Sequence, residues 1–207
     1  MRPFSYSWII RTKLNNITTV LDIGCGEGAT MSDINYDRQL NVTGIDLYEP
    51  SVIVAQKRGS YNKVLVGDIR ALPFGSKSFD AVVSSQVVEH LEKEEAQQLI
   101  SQMETIGSKV IIVATTNGFF PFEPLEGEDD NPLQVHKSGW SVKEFQDRGY
   151  KVYGQGLGLI YKPEGLAHKS KHKLIRNILF LVSYLFSPVV YYFPQLSAYL
   201  IAVKKYE

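Results

Sequence analysis

The chain has 207 residues, with 22 basic and 22 acidic side chains for a formal net charge of zero, and 44% of it is hydrophobic. That length fits one domain, 1–207, with enough chain for a full core. The balanced charge lacks the basic excess of a nucleic-acid-binding domain, so no nucleic-acid partner is expected. A single cysteine, Cys25, excludes an internal disulfide and fits a reducing cytoplasm.

Met1 to Asn16 lacks the long apolar core and small-residue cleavage site of a signal peptide. Phe4, Trp8, Ile9 and Ile10 instead predict one face of a covering helix within 1–16. Residues Val20 to Gly28 then read Val-Leu-Asp-Ile-Gly-Cys-Gly-Glu-Gly. An apolar run (Ile17, Val20, Leu21, Ile23) meets Gly24, Gly26 and Gly28, with Asp22 two residues before the first glycine. The pattern predicts a strand over 17–23 that turns into a phosphate- or nucleoside-binding loop. Glycines turn sharply and admit a ligand where a Cβ would collide. Gly24, Gly26 and Ala29 also satisfy the dinucleotide fingerprint G-x-G-x-x-G/A, so the loop alone leaves two ligand classes open. Cys25 reads as a small residue that fits between glycines rather than a reactive thiol.

Further strands are predicted near 41–46, 62–67, 79–85 and 109–115, and helices near 28–35, 50–58, 92–106 and 141–148. Alternation of this kind argues for βαβ units and a parallel sheet. Asn41 to Asp46 ends in an acid about 20 residues beyond the glycines, placed to accept from ribose hydroxyls. Lys63 to Asp68 ends in another. Asp22, Asp46 and Asp68 thus point at one carboxyl edge, where open α/β sheets bind ligands. Three acids suit a cationic nucleoside better than a pyrophosphate, which Asp22 would repel. Each Asp has a plainer reading as a cap or turn residue.

At this point the chain resembles the class I S-adenosylmethionine-dependent methyltransferases. Asp22-Ile-Gly24-Cys-Gly26-Glu-Gly28 is similar to their first motif and Gly44-Ile-Asp46 to the second. Gly67-Asp68-Ile-Arg-Ala-Leu-Pro-Phe is similar to the third and Phe79-Asp80-Ala-Val-Val to the fourth. Four motifs in the right order are far more specific than any one. The resemblance implies an α/β, Rossmann-like, seven-stranded and mostly parallel sheet with helices on both faces and an antiparallel last strand. It implies S-adenosylmethionine as cofactor and S-adenosylhomocysteine as product. Asp22 and the backbone of Gly24, Cys25 and Gly26 would hold the methionine moiety, and Asp46 the ribose. Leu47 and Ile69 would pack on the adenine, Asp68 would accept from its amino group, and Ser85 and Gln86 would sit near the methyl. Val87-Val-Glu-His-Leu and Leu72-Pro-Phe74 are similar to the branch acting on quinone precursors, sterol-like lipids and other small metabolites.

After the fifth strand, Thr116 to Gly139 is long and irregular, with Phe119, Phe120, Phe122 and acids from Glu123 to Asp130. Loops of this length are usually functional or disordered, and the clustered phenylalanines favour a substrate-covering lid. Tyr150 to Leu159 reads as a sixth strand and Ser197 to Lys204 as a seventh. Residues 161–196 then form an insertion between them. Its apolar stretch, Leu174 to Phe193, follows the basic run His168, Lys169, Lys171, His172, Lys173 and Arg176. The stretch approaches the length of a membrane span, yet Pro188 and Pro194 interrupt it and a strand must return to the core. The expected form is an apolar helical hairpin that lies on a membrane or caps a substrate; the plainer readings are a homodimer through 174–193 or a helical cap on the core. The matching location is cytoplasmic, with the inner membrane face as a further expectation.

Methyl transfer from a sulfonium needs alignment and exclusion of water more than fixed acid or base groups. A base is needed only when the acceptor must lose a proton. His90, after the fourth strand, and His136, at the end of the presumed lid, are the catalytic candidates. Their plainer roles are to order the next helix and to fasten the lid. The spacing of four histidines and one cysteine shows no metal site. The expected acceptor is small, hydrophobic or lipid-linked. A non-catalytic, membrane-associated module of the same fold is the first rival. A nicotinamide-dependent oxidoreductase is the second, disfavoured by Asp22 and Asp68.

Overall fold

The structure is a computed structural model and describes residues 1–37, 39–121 and 131–206. The chain runs α1 (Tyr6–Arg11), β1 (Thr19–Ile23), α2 (Ala29–Ile34), β2 (Asn41–Asp46), α3 (Glu49–Arg58), β3 (Lys63–Val66), β4 (Phe79–Ser85), α4 (Lys93–Ile106) and β5 (Gly107–Thr116). It continues through α5 (Val142–Asp147), β6 (Lys151–Leu157), α6 (Gly158–Tyr161), α7 (Leu166–Lys169), α8 (Lys173–Leu185), α9 (Ser187–Tyr192) and β7 (Ser197–Lys205). One seven-stranded sheet has the order β3-β2-β1-β4-β5-β7-β6. Strands β1 to β5 pair in parallel, and β7 lies antiparallel between β5 and β6. The sheet matches the seven-stranded, mostly parallel expectation, with the reversed last strand where it was placed.

Alternation along the strands divides the core into two layers, because successive side chains point to opposite faces. Leu21 and Ile23 of β1 join Ile111 and Val113 of β5 beneath α4 and α5, with Leu99, Ile100, Met103 and Phe145. Val20 of β1 joins Val110, Ile112 and Ala114 of β5 on the other face, with Ile9 and Ile10 of α1 and Met31 and Ile34 of α2. Helix α1 packs on this layer through Ile9 and Ile10, and Phe4 and Trp8 pack at its edge. Helix α4 opens with a capping box between Glu92 and Glu95, which satisfies two of its end groups reciprocally.

The end of the sixth strand departs from expectation. Strand β6 ends at Leu157, and Gly158 to Tyr161 is helical. Gly156 has φ +67, a left-handed conformation that bends the strand, and the Leu157 N–H donates to Ser183 Oγ at 3.0 Å. The insertion thus begins at Gly158. Pro188, within the first turn of α9, divides the apolar stretch into two helices, because a proline cannot continue the hydrogen bonding of α8. Within the presumed lid, Phe122 to Asp130 lie outside the described residues. Pro132 to Gln134 form a short 3-10 turn.

Candidate functional site

A cleft of about 360 Å³ opens at the carboxyl edge of the parallel strands. Its walls include Asp22, Gly24, Cys25, Gly26, Asp46, Leu47, Asp68, Ile69, Ser85 and Gln86, together with His90. Sequentially distant strand ends converge because parallel strands β1, β2 and β4 all finish at that edge.

The loop after β1 is held from β2. Both Gly24 and Cys25 donate their N–H to the Ile45 carbonyl, at 2.8 and 3.2 Å. The Gly26 N–H donates to Asp46 Oδ2 at 2.8 Å, and the Tyr48 N–H to Asp46 Oδ1 at 2.9 Å. Each Asp46 oxygen keeps a second lone pair for a ligand hydroxyl. Gly24 has φ +66, and a Cβ there would lie 2.4 Å from Val87 Cγ2, so the turn admits only glycine. The loop leaves a cradle in which backbone, rather than side chain, lines the floor.

Asp22 is buried, and Tyr61 donates its hydroxyl to Asp22 Oδ2 at 2.7 Å. Burial lifts the Asp22 carboxyl to about 7, with the Asp46 charge adding to the rise and the Tyr61 bond opposing it. Cys25 is pushed far above the usual thiol range by burial, then by Asp22 and Asp46. It stays a thiol, which favours the small-residue reading over reactivity. A fixed cation in the cleft would relieve the Asp22–Asp46 repulsion, and this is the fit that a sulfonium and an ammonium offer.

Leu47 and Ile69 face the cleft from the ends of β2 and β3. Asp68 is not free there. Arg70 forks onto it, with Nη2 2.7 Å from Oδ2 and Nε 3.0 Å from Oδ1, and reaches Glu95 at 3.3 Å. A ligand amino group must share that carboxylate with Arg70.

After β4 the chain turns through Gln86, at φ 56, an uncommon conformation for a side chain larger than glycine and typical of functional turns. Gln86 N–H donates to the Ala114 carbonyl at 2.8 Å. Tyr6 of α1 closes this corner. Its hydroxyl lies 2.9 Å from Ser85 Oγ and accepts from Gln86 Nε2 at 3.2 Å. Burial raises the Tyr6 hydroxyl well above the usual range, so it remains neutral. Nothing local in the sequence pairs Tyr6 with residues some 80 positions away.

His90 lines the cleft, whereas His136 stands behind it, with ring centroids 4.7 Å apart and nearly perpendicular. Nδ1 of His90 is 3.3 Å from the Val135 carbonyl, and Nδ1 of His136 is 2.7 Å from the Phe120 carbonyl. A carbonyl only accepts, so both rings carry the Nδ1 proton, which leaves Nε2 as the basic atom when the ring is neutral. Both pKa values lie below the usual value, chiefly through burial, with the His136 charge a second cause at His90.

Glu89 was quoted only as part of the His90 motif, yet it is fully buried. Thr115 donates to its Oε2 at 2.9 Å, while Oε1 is buried without a hydrogen-bond partner among the described residues. Burial raises its carboxyl to about 7. Glu89, His90 and His136 each offer an atom, all within 4.8 Å of one another, a grouping with the reach of a metal site. The separation of 136 from 89 and 90 in the chain concealed it.

The end of the segment expected as a lid bonds to the same turn. The N–H groups of Lys137 and Ser138 donate to the Glu89 carbonyl at 2.7 and 3.0 Å, and Ser138 Oγ to the Val88 carbonyl at 3.0 Å. Asn131, Leu133, Gln134 and Lys137 complete the cleft wall. Trp140 is an anchor rather than a platform: it is buried and stacked on Phe145 at 5.2 Å.

Comparison with known proteins places this geometry. A family profile described as a methyltransferase domain matches residues 21–109. O-methyltransferase rstn1 of Aspergillus nomiae is 26% identical over 150 residues, covering 62% of this chain and 66% of that protein. A probable S-adenosylmethionine-dependent methyltransferase of Mycolicibacterium smegmatis is 31% identical over 120 residues, covering 57% and 45%. The chain thus spans just under two thirds and just under half of the length of these relatives. The crystal structure of a SAM-dependent methyltransferase from Archaeoglobus fulgidus superposes with a TM-score of 0.58 at 16% identity, covering 98% of this chain and 95% of that one. That likeness concerns the fold.

Proposed function

We propose that this chain, a member of the class I S-adenosylmethionine-dependent methyltransferases, transfers a methyl group to a small acceptor that is hydrophobic or lipid-linked. The observation that carries the reading is the convergence of Asp22, Asp46 and Asp68 with the glycine loop on one cleft. When bound, the cofactor supplies an electrophilic methyl group on a sulfonium.

The residues of the chain do the rest. Asp22 and the backbone of Gly24, Cys25 and Gly26 hold the charged methionine portion. Asp46 accepts from the ribose hydroxyls while keeping its bonds to Gly26 and Tyr48. Leu47 and Ile69 cover the adenine, and Asp68, shared with Arg70, faces its amino group. Ser85 and Gln86, braced by Tyr6, shape the corner where donor and acceptor meet. His90 stands at the wall with Nε2 as a base for an acceptor that must lose a proton, and His136 sets its ring. Glu89 lies beside this pair with Oε1 lacking a hydrogen-bond partner among the described residues, and we give the group a proton-handling role.

The acceptor class draws support from the O-methyltransferase among the relatives and from the quinone- and sterol-like motif resemblance. Residues 1–207 act as one methyltransferase domain in the cytoplasm, with 1–16 as cover and 158–196 as insertion. The test is calorimetric titration of the full chain with S-adenosylhomocysteine, with NADH as comparison. Micromolar binding that weakens at least tenfold in Asp46→Ala supports the reading. NADH binding in its place, or no binding of either, overturns it.

A further inference from the structure

We infer that the outward face of α8 and α9 docks this protein on an anionic lipid membrane, a partner that the methyl-transfer reading does not require.

Helix α8 is amphipathic the wrong way round for a surface helix. Its one buried residue is polar: Ser183 is 2% exposed and accepts from the Leu157 N–H, with Leu179 half-buried one turn before it. Its outward stripe is apolar. Leu174, Ile178, Leu181 and Leu185 follow the i, i+4, i+7, i+11 spacing of one helical face, and are 72%, 53%, 58% and 68% exposed. Beyond the Pro188 break the exposure continues at Tyr192 and Phe193. The orientation is set rather than incidental. Phe180 stacks on Tyr161 at 5.3 Å, and Tyr191 on the inner side of α9 accepts from Lys13 Nζ at 2.7 Å. An apolar stripe held in water has an unmet driving force of the kind that marks a binding surface.

Charge selects the occupant. Lys169, Lys171, Lys173 and Arg176 surround the N-terminal end of α8, all exposed and, among the described residues, without an ion pair. Cations there oppose the helix dipole, so α8 itself gains nothing from them. No Asp or Glu occurs from 165 to 206. A two-fold contact through this patch would face it with itself and bring these cations together without a carboxylate. An anionic headgroup layer meets both features: apolar side chains enter the acyl boundary and the cations meet phosphate. With 13 residues, α8 is about 20 Å long, short of the roughly 30 Å hydrocarbon core. No helix among the described residues is long and apolar enough to cross a membrane. The geometry is that of a helix lying in the interface. Because β6 runs parallel to β1–β5, α6 to α8 leave the sheet at the carboxyl edge, the edge that also bears the cleft.

The test is co-sedimentation of the full chain with phosphatidylcholine vesicles, with and without phosphatidylglycerol. Binding only to the anionic vesicles, weakened by salt, is expected. Lys169→Gln, Lys171→Gln and Lys173→Gln together should lower the partition coefficient roughly a hundredfold, at about fivefold per charge. Serine at 174, 178, 181 and 185 together should abolish it. Calorimetry with S-adenosylhomocysteine on each variant reports an intact fold and separates failure of docking from failure of the methyltransferase reading. Equal binding to neutral vesicles, no binding to either, or a lipid-free dimer that the serine variant dissociates would each overturn the inference.

Discussion

Helices α4 and α8 are of similar length and both carry leucine and isoleucine, yet they point them in opposite directions. In α4, Ala96, Leu99, Ile100, Met103 and Ile106 are buried against the sheet. In α8, Ser183 is the buried residue, and Leu174, Leu181 and Leu185 face outward. Periodicity shows that a helix has two faces. It does not show which face meets the protein, and that depends on what lies alongside. For α4 the neighbour is the apolar layer of β4 and β5. For α8 it is the end of β6, where the free N–H of Leu157 wants an acceptor.

The largest effect should come from the buried helix. Leu99→Ala removes fully buried apolar volume and should cost about 2–5 kcal/mol in chemical denaturation. Next is pH. Burial raises Asp22 from 3.8 to about 7 and Glu89 from 4.5 to about 7. Between those limits the folded chain binds protons that the unfolded chain has lost, so stability falls as pH rises through the window and levels off above about 7. The sum should be on the order of a few kcal/mol, and Glu89→Gln should flatten part of the slope in a pH series of melting curves. Over the same range, S-adenosylhomocysteine affinity should rise as Asp22 ionises, a trend that Asp22→Asn removes.

Gly24→Ala forces a Cβ against Val87 in a left-handed conformation and should cost about 1–3 kcal/mol, with cofactor affinity at least tenfold weaker by calorimetry. Asp46→Asn keeps the shape but sets an NH2 donor against one of the two N–H groups, Gly26 or Tyr48, that Asp46 accepts from, so about 1 kcal/mol of stability should go with the lost affinity. The smallest effect should be Leu181→Ser, within about 0.5 kcal/mol in lipid-free solution. If instead it cost as much as Leu99→Ala, the contrast between the two helices would be false and α8 would be buried in solution.

Much of the site was legible because each part is local. A strand end, a glycine loop and an acid at the next strand end are short patterns, and parallel pairing brings them to one edge without further information. The parts that were not legible are long-range. Tyr6 reaches Ser85 and Gln86, Tyr61 reaches Asp22, and Arg70 occupies Asp68; the first two of these contacts span entire elements. Glu89 showed only as the neighbour of His90, and its burial against Thr115 depends on how β5 lies beside β4. The plainer reading of Asp46 as a turn residue also holds, since it accepts from the Tyr48 N–H, but its bond to the Gly26 N–H, across from the first strand's loop, was not legible.

By itself, the sequence determined the order and kind of most elements up to β5 and the carboxyl-edge cleft, because alternation, periodicity and glycine placement act over a few residues; the reversed last strand followed only from the family resemblance. Only the tertiary structure decided where β6 ends, which histidine meets the cleft and which way α8 faces. Those outcomes depend on hydrogen bonds and packing between residues far apart in the chain, such as Leu157 with Ser183 and His90 with His136, for which no short pattern exists.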